Sequence, residues 1–134
     1  MKIIILGAGQ VGASVAENLV SEANDITLVD TSAEQLAVLR DRLEVRTVCG
    51  NAASPSVLRD AGADDADLLI AVTQSDQTNL CACRVAKAIF NLPTRIARLR
   101  STDFVDYPEL LDANNFAVDF SICPEQIVTD YIKR

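Results

Sequence analysis

The sequence predicts an α/β fold built on a parallel sheet, and three observations support this fold class. Apolar runs and amphipathic stretches alternate along the 134 residues, as strands and helices do in repeated β–α units. The first run, "KIIIL", is unbroken, which is typical of a strand buried on both faces of a parallel sheet. Aromatic residues make up 4% of a chain that is 49% hydrophobic. The core must therefore be built mainly from Ala, Val, Leu and Ile, which suits helices packed on a sheet.

Hydrophobic period and turn residues predict the first three pairs of strand and helix. The strand "KIIIL" precedes a helix from about Val11 to Ser21, and "DITLVD" precedes a helix over residues 33–43, whose leucines recur at helical spacing. The third strand, "VRTVCG", precedes a short helix for which Ser54 is the expected N-cap and Pro55 the first helical residue.

The second half of the chain continues this pattern less regularly. "ADLLIAVT" predicts a fourth strand, a long helix follows from Ser75 or Asp76 to about Phe90, and "TRIARL" predicts a fifth strand. The tail is predicted to add a short helix around Val105–Asp112, a weak strand near Val118–Ile122 and a helix from Pro124 to Arg134. This alternation, with right-handed crossovers, predicts a Rossmann-type doubly wound parallel sheet of about six strands in the order 3-2-1-4-5-6.

Length and charge limit the classes of function. Twelve Lys and Arg against 19 Asp and Glu give a net charge of −7, which repels nucleic-acid backbones and anionic lipid. A length of 134 residues fits a single domain, and the start resembles neither a signal peptide nor a membrane span. We therefore expect one domain, residues 1–134, that is cytoplasmic, does not insert into a membrane and does not bind nucleic acid.

The cysteines argue against a metal site. Cys49, Cys81, Cys83 and Cys123 form no CxxC pair, and the chain has no histidine, so the usual mixed zinc ligand sets are missing. Cys81 and Cys83 are two positions apart and should face different sides of a helix. We predict that the cysteines are small buried side chains in a reducing compartment and that no metal is bound.

The segment "GAGQVG" follows the first strand and opens the first helix, which is the context in which a GxGxxG motif indicates a nucleotide site. Gly7 permits a tight turn, Gly9 lets backbone N–H groups approach a pyrophosphate, and Gly12 allows close contact between helix and strand. The helix N-terminus adds roughly half a positive charge toward the anion.

Asp30 ends the second strand, where an acid can accept hydrogen bonds from the ribose hydroxyls of adenosine. The same carboxylate would repel a 2′-phosphate, so NAD⁺ or NADH is expected rather than the phosphorylated cofactor. The structural alternative is a solvated turn before the cap formed by Thr31 and Ser32. Adenine nucleotides such as ATP or ADP could compete, because the glycine loop contacts phosphate and Asp30 contacts ribose.

The ends of the third and fourth strands extend the predicted site toward both halves of a dinucleotide. Asn51 could place its amide beside an adenine edge, with Ala52 and Ala53 leaving room for the ring, or "GNAA" could be an ordinary strand end and helix cap. After the fourth strand, Thr73 and its hydroxyl neighbours face the second half of the crevice, although Ser75 also suits a helix cap.

Three arginines lie in or just after the predicted fifth strand. Arg98 could reach a phosphate, whereas Arg95 and Arg100 are more simply surface charges.

A dehydrogenase needs a proton donor or acceptor near the nicotinamide, and the lysines and tyrosines of this chain fall away from the predicted ligand side. We therefore expect no enzymatic activity and no catalytic residue.

Four segments, "KIIILGAGQVG", "ITLVD", "LRDAGADDADLLIAVTQSDQTNLCAC" and "RIARLRS", resemble the first nucleotide-binding half of the Trk-type potassium uptake regulators, the TrkA family of KTN/RCK domains. The resemblance covers essentially the whole chain, and "AGADDAD" and "SD..N" are more specific than the glycines. Many relatives have "GDAT" where this chain has "GNAA". The chain departs from the family pattern at this position, so the resemblance does not support the adenine contact of Asn51, whereas the argument for Asp30 is unaffected.

The resemblance implies a cytoplasmic module that binds NAD(H) and docks, as an assembled homo-oligomer, dimer or larger ring, on a potassium-translocating membrane subunit at the inner face of the cell membrane. It implies that this chain is a fragment of a longer tandem-repeat protein. It also implies site roles: Gly7, Ala8, Gly9, Gln10 and Val11 cradle the pyrophosphate, Asp30 holds ribose, Thr73 and Gln74 line the far side, and Arg98 contacts the ligand.

Three hypotheses follow. The first is a regulatory domain whose conformation responds to NAD(H) and controls potassium uptake. The second is the nucleotide-binding half of an oxidoreductase that lacks its substrate domain. The third is a scaffold in which the nucleotide has a structural role in assembly.

Overall fold

A computed structural model of the chain describes residues 1–20 and 22–122. It contains a six-stranded parallel sheet in the order 3-2-1-4-5-6, which confirms the predicted fold class and strand order. The strands are β1 (Lys2–Leu6), β2 (Asp25–Asp30), β3 (Arg46–Cys49), β4 (Leu68–Ala71), β5 (Thr94–Arg98) and β6 (Phe120–Ile122). The helices are α1 (Gln10–Val20), α2 (Ala33–Arg42), α3 (Pro55–Asp60), α4 (Asp76–Phe90) and α5 (Thr102–Val105), followed by a 3-10 helix, Pro108–Leu111.

The hydrophobic core forms two layers, one on each face of the sheet. Alternate residues of β1 enter opposite layers: Ile3 and Ile5 pack with α1 and α2, whereas Ile4 and Leu6 pack with α3 and α4. Both layers are closed because every side chain of β1 after Lys2 is buried, as the unbroken apolar run predicts. Since α1 leaves β1 on one face and α4 leaves β4 on the other, a crevice opens between the two strands at their carboxyl ends.

The cap residues explain why the helices begin where they do. Ser32 accepts a hydrogen bond from the N–H of Gln35 at the start of α2, and Ser75 accepts one from the N–H of Thr78 at the start of α4. At the end of α4, Asn91 adopts a left-handed backbone, φ 51°, and its N–H donates to carbonyls of the last turn. The capping role predicted for Ser75 is confirmed.

The tail differs from the prediction in its helices. The single helix expected around Val105–Asp112 is instead two short pieces, α5 and the 3-10 helix. Ser101 caps α5 by accepting a hydrogen bond from the N–H of Asp103, and Pro108 begins the second piece, because proline cannot continue a preceding helix. The predicted helix from Pro124 and the side chain of Cys123 lie outside the described residues.

Two predictions about burial were wrong. Cys83 is buried as expected, but Cys49 and Cys81 are exposed. Arg95 is 4% exposed and therefore no surface charge: its guanidinium donates to the carbonyls of Leu92 and Ala117 and forms an ion pair with Asp119. An arginine in a strand covered on both faces can be buried in this way when carbonyls satisfy its donors.

The segment "AGADDAD", residues 61–67, lies at the amino ends of the strands. The N–H of Lys2 donates to Asp67 at 2.8 Å, and the Lys2 Nζ donates to Asp65 at 2.7 Å. Gly62 turns the chain with φ +93°. The contacts of Asp65 and Asp67 with Lys2 hold the start of β1 in place, at the end of the sheet opposite to the crevice.

Candidate functional site

Gly7 makes the sharp turn by which the chain leaves β1. Its φ is +110°, and a Cβ on Gly7 would lie 2.9 Å from the carbonyl oxygen of Val72, so only glycine fits. The N–H of Gly7 donates to the carbonyl of Val29 at 2.8 Å. The turn is therefore held between the ends of β2 and β4, as the prediction of a tight turn at Gly7 requires.

The other two glycines of the motif have different physical reasons. A Cβ on Gly12 would lie 1.7 Å from the carbonyl oxygen of Gly7, which confirms the predicted close contact of helix and strand. A Cβ on Gly9 would meet no heavy atom of the described chain within 4 Å, and Gly9 does not have a positive φ. Neither the backbone nor the packing requires glycine at position 9; this residue borders the open crevice.

Asp30 fixes the glycine loop. One carboxylate oxygen accepts a hydrogen bond from the N–H of Ala8 at 2.7 Å, and the other accepts one from the N–H of Ser32 at 2.8 Å. Ala8 is buried and its N–H is directed at Asp30. Of the N–H groups of this loop, that of Ala8 is thus not available to an anion, whereas Gly9, Gln10 and Val11 border the crevice at the N-terminus of α1.

On the adenosine side, the loop after β3 forms the wall of the crevice. The side chain of Asn51 accepts a hydrogen bond from the N–H of Ala53 at 2.9 Å, and Ala52 is buried. Asn51 therefore forms an Asx turn, and its amide NH₂ group has no hydrogen-bond acceptor among the described residues. Both Asn51 and Ala52 border the crevice.

A buried asparagine organises the far side. Asn79 is fully buried; its side-chain oxygen accepts from the N–H and the hydroxyl of Thr73, and its NH₂ donates to the carbonyls of Thr73 and Arg98. Arg98 is 5% exposed and donates from Nη2 to the Thr73 carbonyl at 2.7 Å. The ends of β4 and β5 are thus joined through the first turn of α4.

A second polar residue of α4 holds the loop after β5. Both carboxylate oxygens of Asp76, which is 7% exposed, accept hydrogen bonds from the N–H of Arg100 at 2.9 and 3.0 Å, and one accepts from the N–H of Ser101 at 2.8 Å. The segment "SD..N" thus consists of the α4 cap, Asp76 and Asn79. Asp76 and Asn79 hold the loops that follow β4 and β5 and so support the wall of the crevice, a role that the sequence motif did not specify.

The resulting crevice has a volume of about 600 Å³, within the range of small-molecule sites. The structure brings all the predicted site residues to its walls except Ala8 and Gly12, which lie behind them. Gly50 and Ser75, which belong to the predicted strand-end segments "GNAA" and "TQSD", also border the crevice. The structure adds residues that the sequence did not indicate as ligand contacts: Val29, Thr31, Gln35, Val72, Thr78 and Arg100. The position of Gln35 and Thr78 in first turns of helices that begin at strand ends is the signal that could have identified them.

Two titratable groups with shifted pKa values lie away from the crevice. Burial raises the pKa of the Cys83 thiol to about 12, and the hydrogen bond from Lys2 lowers the pKa of Asp65. In the described part of the chain, no cluster of three His, Cys, Asp or Glu residues could hold a metal ion. None of the helices in residues 1–20 and 22–122 is long and apolar enough to cross a membrane.

Comparison with solved structures identifies the same fold. The TrkA-N domain of inner membrane protein ybaL from Escherichia coli has a TM-score of 0.80 at 23% identity, covering 98% of this chain and 93% of that chain. A GsuK channel bound to NAD has a TM-score of 0.74 at 20% identity, covering 98% of this chain and 23% of that chain. At these identities the similarity concerns the fold.

Sequence comparison identifies the family. The chain is 53% identical to the Trk system potassium uptake protein TrkA of Vibrio alginolyticus and 54% identical to that of Haemophilus influenzae. In each case the match covers 100% of this chain, which spans 30% of the relative. The TrkA-N domain family model matches residues 3–118, and the chain therefore belongs to the TrkA-N domain family.

Proposed function

We propose that this chain is an NAD(H)-binding regulatory domain that controls potassium uptake. The identity of 53–54% over the whole of this chain to proteins named Trk system potassium uptake protein TrkA supports the process, and the NAD bound to a GsuK channel of the same fold supports the ligand. In this proposal the domain is cytoplasmic and acts at the inner face of the cell membrane through a potassium-translocating Trk-type subunit. It belongs to a larger tandem-repeat protein that assembles as a dimer or larger ring.

The observation that carries the proposal is the position of Gly9. Gly9 needs neither a positive φ nor close packing, and its carbonyl accepts the first hydrogen bond of α1, from the N–H of Ala13, a capping position that Ser, Asn or Asp fills at least as well. Because glycine is conformationally costly, its presence here is explained by the space that it leaves beside the helix N-terminus. A missing side chain beside the N-terminus of an eleven-residue helix leaves room for an anion to reach the N–H groups of Gly9, Gln10 and Val11. The pyrophosphate of NAD(H) is such an anion.

Asp30 fits the adenosine ribose of the same ligand. A carboxylate offers about four lone-pair positions, and the N–H groups of Ala8 and Ser32 use two of them. The remaining two suit the 2′- and 3′-hydroxyls of a ribose, whereas a 2′-phosphate would be repelled. Asn51 and Ala52 then lie beside the adenine. ATP and ADP share these groups and would compete for them.

A regulatory role, rather than catalysis, agrees with the side chains at the crevice. Asp30 is the one carboxylate among the described residues that border it; one of its oxygens accepts a hydrogen bond from the glycine loop at Ala8 and the other from the N–H of Ser32. Lys, Cys and Tyr are absent from that set of described residues. In this proposal the ligand shifts the domain between two conformations, by no more than its difference in affinity for them.

Binding is tested by calorimetric titration of the chain with NADH and with NAD⁺. We expect dissociation constants below about 1 mM, and weakening of at least about tenfold in Gly9→Ala, because the added methyl group occupies the anion position. Ser14→Ala, on an exposed position of the same helix, is the control. If neither dinucleotide binds the parent chain, or if Gly9→Ala binds as well as the parent, the assignment is wrong.

The regulatory part of the proposal is tested separately in cells that depend on the protein for potassium uptake. Rubidium uptake should change when Gly9→Ala is introduced, with the amount of protein unchanged. A nucleotide with a purely structural role would instead make Gly9→Ala fail to assemble, which light scattering would detect.

A further inference from the structure

We propose that the crevice binds NADH more tightly than NAD⁺, and that Arg100 determines much of this preference. The inference rests on the proposed function, because it concerns the second half of the same dinucleotide. The two redox forms differ there by one positive charge, which NAD⁺ carries on its nicotinamide ring and NADH lacks.

The geometry places the nicotinamide half near β4 and β5. Asp30 at the end of β2 binds the adenosine ribose, and the N-terminus of α1 beyond β1 binds the pyrophosphate. The crevice continues from there to Thr73 and Gln74 after β4, and to Arg98 and Arg100 at the end of β5. A dinucleotide extended across the switch point of the sheet must therefore direct its nicotinamide toward the two arginines.

The charges around that half are mainly positive. Arg98 and Arg100 each contribute one positive charge, and the N-terminus of the fifteen-residue helix α4 adds a partial one. Asp76 contributes the nearby negative charge, but the N–H groups of Arg100 and Ser101 hold its carboxylate, which is buried. The local sum remains positive and disfavours a cationic ring.

Arg100 is the residue best suited to test this preference. Its side chain is exposed and borders the crevice, and no carboxylate of the described residues forms an ion pair with it. Its backbone is fixed by Asp76, so the guanidinium starts from a fixed point at the rim. Arg98, in contrast, is buried and supports the Thr73 carbonyl, so that substituting it would also disturb the wall.

The experiment measures the ratio of the NAD⁺ and NADH dissociation constants by calorimetry. For the parent chain at low salt we expect a ratio of about three to ten, as for one charge several ångströms from another in a partly exposed site. Arg100→Gln should bring the ratio toward one. The ratio measured for the parent chain should also fall in about 0.5 M KCl, because salt screens exposed charges. Arg46→Gln, which removes a charge at the amino end of β3, should leave the ratio at the parent value.

The outcomes separate this inference from the proposed function. Equal affinity of the parent chain for both redox forms would overturn the inference and leave NAD(H) binding intact, as would a ratio that Arg100→Gln does not change. Binding of neither form would overturn both. If Arg100 also contacts the pyrophosphate, Arg100→Gln weakens the binding of both redox forms equally, and that part of the effect leaves the ratio unchanged.

Discussion

At both ends of the sheet, aspartate carboxylates accept hydrogen bonds from neighbouring residues, but among the described residues only one of the two ends leaves a crevice. At the amino ends of the strands, the carboxylates of Asp65 and Asp67 accept hydrogen bonds from the side chain and backbone of Lys2. At the carboxyl ends, the carboxylate of Asp30 accepts hydrogen bonds from the backbone N–H groups of Ala8 in the glycine loop and of Ser32 at the start of α2. The amino end is closed by its own residues, whereas the carboxyl end leaves a crevice of about 600 Å³ beside Gly9.

The contrast between the two ends distinguishes residues that stabilise the fold from residues that are positioned to bind a ligand. At the amino end, Lys2 forms hydrogen bonds with Asp65 and Asp67, so changing these residues should alter stability and leave binding intact. The carboxyl end contains both kinds of residue: Gly12 and Asn79 are packed or bonded on all sides, while Gly9 and Arg100 border open space.

The largest effect should come from Gly12→Ala. The added Cβ would lie 1.7 Å from the Gly7 carbonyl oxygen, and backbone must move to relieve the overlap. We expect a loss of about 3 kcal/mol or more in the free energy of unfolding, at or above the usual range for overpacked positions. Urea denaturation measures it. Gly9→Ala, whose Cβ meets open space, is the control and should cost about 1 kcal/mol or less, the usual cost of alanine at a helix N-cap; similar losses in both variants would remove the distinction between the two glycines.

Asn79→Ala should have the next largest effect. It removes an amide that makes four hydrogen bonds in the core and leaves the groups of Thr73 and the Arg98 carbonyl with fewer partners. Unsatisfied buried polar groups cost about 1–3 kcal/mol, and we expect about 2 kcal/mol. Asn114→Ala, at an exposed position, controls for the loss of an amide. A thermal melt in which the two variants match would show that the buried bonds are not what joins β4 to β5.

The part of the site formed by the glycine loop and Asp30 was predictable from the sequence. The contacts at the ends of β4 and β5 were much less so. "GAGQVG" and Asp30 follow from local rules, since the turn, the helix start and the strand end lie within one β–α–β unit. The contacts of Asn79 and Arg95 depend on carbonyls that distant elements bring within reach, and no local period encodes them. Arginines within an apolar strand of a parallel sheet were an indication of buried roles, because both faces of such a sheet are covered.

The smallest effect should come from Asp65→Asn at the amino end, and its pH dependence identifies its source. The hydrogen bond from Lys2 lowers the pKa of Asp65 below its ordinary value of 3.8. The carboxylate therefore stabilises the folded state fully above pH about 4, and the contribution is lost as the pH falls through the lowered pKa, where the folded state also takes up the proton. We expect Asp65→Asn to melt slightly below the parent at pH 6, by less than Asn79→Ala, because exposed ion pairs contribute little. The difference should disappear near pH 2 and shrink in high salt. NADH affinity at pH 7 should be unchanged, and a loss of affinity in Asp65→Asn would contradict the separation of the two ends of the sheet.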